Sequence, residues 1–230
     1  MGCSKQVNSS LVQYVEENIF PIYEKCVDCH GVSHIKEVIS KSMDFIPQAS
    51  EQSNEPISAD MVYAIGAFHD LGMIKDRKTH HIISAEMLLA DKYIKNFFNA
   101  EQLETMAIAI QDHRASLDSD PRNIYGKIVS TADRSWCVDD FLLIVYRWRI
   151  KNFPEESFEE MVDDAYAHTL GKYGKQGYGI KKVYFKSAEF ENFKKQIAEI
   201  TSCKEKFREK FLQVISSQNQ CSLLTPVVAN

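Results

Sequence analysis

Six of the seven histidines fall in the first half of the chain, mostly at expected helix ends, and two of them stand directly beside an aspartate. His69 and Asp70 are adjacent at the end of an apolar run, His80 and His81 open the next segment, and Asp112 and His113 close another. His34 sits in the first turn of an earlier helix, and Asp133 lies within the apolar run IVSTADRSW. A carboxylate in apolar surroundings needs a cation or a network of donors. Imidazole and carboxylate together suit Fe, Mn, Zn, Co or Ni. Taken singly, each histidine reads as a hydrogen-bonded or exposed side chain. Taken together, they read as a metal site.

The run CVDCHGVSH carries a competing signal. Cys26, Cys29 and His30 have the C-x-x-C-H spacing of a c-type haem attachment. Yet both cysteines continue the stripe Val12, Val15, Ile19 and Ile22, as buried core thiols do. No apolar export segment precedes them, so no haem is expected. A zinc site from Cys26, Cys29, His30 and His34 would leave His69, Asp70 and Asp133 unexplained. The six cysteines are scattered, and reduced thiols are expected.

These residues need elements to position them, and the periodicity is helical nearly throughout. Apolar residues at steps of three and four predict a first helix with a kink at Pro21. Ser33 is placed to cap a helix that turns Ile35, Val38 and Ile39 inward. Residues 47–58 read as a polar loop. An apolar helix follows over about 59–69, ending near Gly72, then helices near 79–98, 101–115 and 122–150, the last broken. Another spans 155–173. The glycines of YGKQGYGIKK, 173–182, predict a surface loop, with a lid or a phosphate cradle as alternatives. A long helix over about 187–217 puts Phe190, Phe193, Ile197, Phe207 and Phe211 on one face, and the tail from Ser217 reads as frayed. VYF at 183–185 is the nearest approach to a strand. The expectation is one all-α domain over 1–230, with a core at about 20–150 and a C-terminal helical layer at about 155–217 packed on it.

The whole chain narrows the function classes. Its 230 residues are 44% hydrophobic and 26% charged, an ordinary globular composition. A net charge of −5 argues against a general basic surface for nucleic acid or anionic membrane. No segment approaches the roughly 18 apolar residues of a membrane span. The start Met-Gly has Gln6 where myristoylation needs Ser or Thr, so a cytoplasmic protein is expected, as monomer or homodimer.

The order His34, His69-Asp70, Asp133 resembles the HD-domain metal-dependent phosphohydrolases. The local words resemble them too: HGVSHIKEVI, AIGAFHDLGM, HHIISAEML, IQDHRAS and STADR. The resemblance covers about residues 20–140. It implies an all-α HD bundle, here with additional C-terminal helices.

It further implies that His34, His69, Asp70 and Asp133 ligate a divalent metal, Mn, Fe, Co, Ni, Zn or Mg. His81 and His113 match positions that bind a second metal or contact substrate phosphate, with Asp70 bridging. His80 is the weaker candidate, because His81 has the better register with Ser84-Ala85-Glu86, although Ile82 stands where an acid often follows. Asp70, His81, His113 and Arg134 are thus the expected catalytic set. Lys75, Arg77, Lys78 and Arg114 are candidates for the substrate phosphate, against a bland reading as solvated charge. The implied activity is hydrolysis of a phosphomonoester or phosphodiester of a nucleotide or other small phosphorylated metabolite by metal-activated water. Met73 stands where one nucleotidase branch carries glutamate, which counts against deoxynucleotide monophosphatase activity. A di-iron oxygenase of the same family and a nucleotide-sensing module without turnover are the alternatives.

Overall fold

Asn8 opens the first helix: its side-chain oxygen accepts from the backbone N–H of Ser10 at 2.9 Å and of Leu11 at 3.4 Å. In the computed structural model of the protein, residues 6–24, 31–134 and 136–222 are described, with side chains to residue 217. Helix α1 (Ser9–Tyr14) passes through a wide π turn (Val15–Ile19) into α2 (Phe20–Glu24). There the Phe20 N–H bonds the Val15 carbonyl, five residues back. The register thus loosens just before Pro21, which has no N–H to give.

Helix α3 (Val32–Ser53) is capped by Gly31, without a side-chain bond, so Ser33 lies inside the first turn rather than at the cap. Nor do residues 47–58 form a loop: α3 runs through Pro47 and stops at Asn54, in the left-handed conformation with φ 56°. Its buried stripe explains this, since Val38, Ile39, Phe45, Ile46 and Ala49 carry the apolar face past the proline. Burying that face outweighs the roughly 3 kcal/mol that proline costs a helix interior.

Helix α4 (Ala59–Phe68) starts at Ser58, whose hydroxyl accepts from the Met61 N–H. It is buried on nearly every side and packs against α3 and the later helices α6 (Ala100–Gln111) and α7 (Ile124–Ala132), which makes it the central rod. A 3₁₀ turn (Leu71–Ile74) leads to α5 (His80–Ala90). The expected helix to about 98 ends at Ala90, because the Asp91 carboxylate takes the Tyr93 and Ile94 N–H groups at 2.8 and 2.9 Å.

Contacts group the described residues into two compact units. The first is 1–134 with 182–185. In it, the VYF run is no strand: the Tyr184 N–H donates to Thr131 Oγ1 at 3.0 Å, and Phe185 stacks on Phe45. The second unit, 135–181 and 186–230, holds α8 (Val138–Asn152), α9 (Phe158–Tyr173), α10 (Tyr178–Lys181), α11 (Ala188–Ile200) and α12 (Lys204–Ser222). The long final helix expected at 187–217 is therefore two. Thr201 closes α11, its hydroxyl bonding the Ile197 carbonyl at 2.7 Å, and Phe193 and Phe207 are both fully buried across the break. The backbone continues helical past Ser217 to Ser222. Within 173–182, the Gly174, Gly177, Ile180 and Lys181 amides bond carbonyls of the same turn and so do not offer a phosphate cradle.

Every regular element among the described residues is helical, so the fold is all-α. None of the described helices is long and apolar enough to cross a membrane.

Candidate metal centre

The centre lies in the first unit and is built on helix ends. His69 closes α4, its N–H bonding the Ile65 carbonyl at 2.9 Å. Asp70 then leaves the helix with φ −107° and ψ 6°, the sparsely populated bridge conformation. The His69 ring bonds the Gly66 carbonyl through Nδ1 at 2.8 Å. A carbonyl can only accept, so Nδ1 carries the proton and Nε2 presents a bare lone pair. That Nε2 is buried without a hydrogen-bond partner, 3.7 Å from Asp70 Oδ2 and 3.9 Å from Asp133 Oδ1. Burial pushes the His69 imidazolium down to about 4, so the ring is neutral at pH 7.

The same lock recurs twice. His80 Nδ1 bonds the Arg77 carbonyl and His113 Nδ1 bonds the Ile110 carbonyl, each at 2.7 Å. Both Nε2 atoms are thereby aimed at Asp70 Oδ1, at 3.1 and 3.4 Å, and lie 3.3 Å from each other. Two lone pairs and a carboxylate oxygen this close repel unless positive charge sits among them. Burial would lower the His113 pKa, but the Asp70 hydrogen bond and the Asp70 and Asp133 charges win and raise it.

On the other side His34 Nε2 stands 3.2 Å from Asp133 Oδ1. Asp133 is held low against its own burial by the His34 hydrogen bond and the nearby His69. These two side chains are 24% and 17% exposed, against 4% or less for His69, Asp70 and His113, so this side is the open one. The ligand-capable atoms fall into three close groups: His34, His69 and Asp70; His69, His113 and Asp133; and Asp70, His80 and His113. Asp70 belongs to two of them. His69, Asp112 and Asp133 close α4, α6 and α7, so three helix ends of negative partial charge meet at the cluster and favour a cation further. The buried His and Asp groups could hold a divalent metal ion.

The structure brings together His34, His69, Asp70, Asp133 and His113 of the expected set, and adds His80 in place of His81. The His81 ring turns instead to Arg114, Nδ1 to Nη1 at 3.5 Å. Neighbours on a helix point about 100° apart, so only one of the pair can face Asp70. Register with Ser84 does not select His81, because Ser84 is engaged elsewhere. Its hydroxyl accepts the Gly72 N–H at 2.8 Å and ties the turn after the doublet to α5.

The hydrogen bonds shown for Arg134 run to its own turn and to the segment at Lys182. Its buried guanidinium donates to Ser130 Oγ at 3.0 Å and the Lys182 carbonyl at 3.2 Å. Arg114 Nη1 donates to the Lys78 carbonyl at 2.5 Å. Lys75, Arg77 and Lys78 are exposed on the turn that enters α5. Asp112 is taken by Arg122, whose Nε and Nη2 each lie 2.9 Å from a carboxylate oxygen. Cys26, Cys29 and His30 lie outside the described residues.

The family model of the HD domain matches residues 30–135. That span contains all six converging side chains. No curated protein and no solved structure matches the chain significantly.

Proposed function

Because residues 30–135 place this chain in the HD-domain superfamily, we propose that it is a metal-dependent phosphohydrolase acting on a phosphomonoester or phosphodiester of a small metabolite, a nucleotide among them. One observation carries the reading: Asp70 belongs to the His34–His69 group and to the His80–His113 group, and His80 and His113 both aim Nε2 at its Oδ1. Superfamily membership itself speaks for hydrolase-type activity that depends on a metal.

In this reading His34, His69, Asp70 and Asp133 hold one ion, and Asp70, His80 and His113 a second. A divalent cation at this place lowers the pKa of water toward neutrality and polarises a phosphoryl oxygen. The chain supplies the rest. The three Nδ1 locks fix the tautomer and aim of His69, His80 and His113 before any ion arrives. The deep burial of His69, Asp70 and His113 keeps bulk water from that side, and substrate enters past His34 and Asp133. Lys75, Arg77 and Lys78, on the turn before α5, and Arg114, after α6, offset phosphate charge. Arg134 holds the turn that carries Asp133 instead of touching substrate.

A second reading, a di-iron oxygenase, is favoured by the same shared Asp70 and the two groups on either side of it. Purified protein loaded in turn with Mn, Co, Ni, Mg and Fe, and assayed against nucleotides, cyclic nucleotides and sugar phosphates, tests the proposal. Phosphate release that needs the metal supports it. A mixed-valent di-iron signal without phosphate release supports the oxygenase.

A further inference from the structure

Tyr23 is fully buried in α2, upstream of the residues matched to the family, and α2 packs on the turn Leu71–Ile74. Its hydroxyl donates to the Ala67 carbonyl at 2.8 Å. The phenol lies close enough to Asp70 to feel its charge. A helix leaves its last carbonyls without partners in the helix interior, and here three of them are assigned. Ile65 receives the His69 N–H, Gly66 receives the His69 ring, and Ala67 receives Tyr23. Farther on, Met73 N–H bonds the Asp70 carbonyl, and Gly72 N–H bonds Ser84. The bridge conformation of Asp70 is thus pinned on one side by Tyr23 and on the other by Ser84. The Ala67 carbonyl needs a donor here, and a phenol supplies one from within an apolar layer.

We propose that Tyr23 is a positioning residue for the metal centre, its hydroxyl holding the backbone turn that aims Asp70 between its histidines. This rests on Asp70 being a metal ligand, as proposed above. Tyr23 touches no ligand atom of the cluster and acts through the backbone that leads into the doublet. Groups that orient metal ligands from behind typically change metal affinity by about 10–100-fold when removed.

The test is Tyr23→Phe beside Leu11→Ala, which removes buried apolar volume from the same N-terminal segment without touching the doublet. Mn²⁺ affinity is measured by titration well below the melting temperature of each folded protein. Tyr23→Phe should bind Mn²⁺ about tenfold more weakly or worse. Leu11→Ala should bind like the wild type. Equal affinity in Tyr23→Phe and wild type overturns the clamp alone, as does an equal weakening in Leu11→Ala. A wild type that binds no Mn²⁺ overturns the metal reading and the clamp with it. Should Tyr23→Phe not fold, hydrogen exchange of the Asp70 amide in metal-free wild type decides. Slow exchange is expected, and exchange at the rate of an open loop overturns the proposal.

Discussion

His80 Nε2 lies 3.1 Å from Asp70 Oδ1, while the adjacent His81 turns its ring to Arg114. The two histidines therefore differ in role despite being neighbours. His80→Ala should lose the ion assigned to Asp70, His80 and His113, and His81→Ala should keep it. Metal analysis of the two variants after dialysis checks this.

Gly72 brings the turn after the doublet against α5 at a distance only glycine allows. A Cβ there would sit 2.4 Å from the His80 carbonyl oxygen and 2.9 Å from the Ser84 nitrogen, both backbone atoms that cannot step aside. Gly72→Ala should cost about 1–3 kcal/mol in urea unfolding. Gly171, exposed in α9, has nothing within 4 Å of the same added atom. Gly171→Ala should gain up to about 1 kcal/mol from helix propensity.

His168 predicts a pH effect in the second unit. The residue is exposed on α9, with its ring stacked on Phe141, and this partial desolvation first, then the charges of Lys172 and Arg149, lower its pKa below 6.5. As pH falls below 6.5, the unfolded chain takes up a proton there that the folded chain refuses, so stability drops toward the folded pKa. Above 6.5 both states are neutral and the contribution is flat. His168→Gln should shrink the difference between urea midpoints measured at about pH 5.5 and about pH 7.5.

Much of the centre was legible in the sequence because its candidate ligands stand at helix ends, where turn residues interrupt apolar runs. His34, His69, Asp70, His113 and Asp133 could be named that way. His80 could not be separated from His81, since the difference lies in which ring meets the Arg77 carbonyl, a fact of three-dimensional approach. Pro47 suggested a loop that starts only at Asn54, because the buried face around the proline outweighs the lost backbone bond. The break at Thr201 was hidden for the opposite reason: the apolar stripe continues in sequence on both sides of a turn. Arg134 stands beside Asp133 as expected, and its bond to the Lys182 carbonyl, 48 residues away, could not be foreseen from the sequence.

The most direct test of the centre is Asp70→Ala, with metal content, phosphate release and far-ultraviolet circular dichroism measured on the same preparation beside wild type. Asp70 alone belongs to both groups proposed to hold an ion. Wild type should retain metal and hydrolyse a phosphoester, and Asp70→Ala should lose both while its helical signal stays. An Asp70→Ala protein that kept full metal occupancy and full turnover would contradict the assignment.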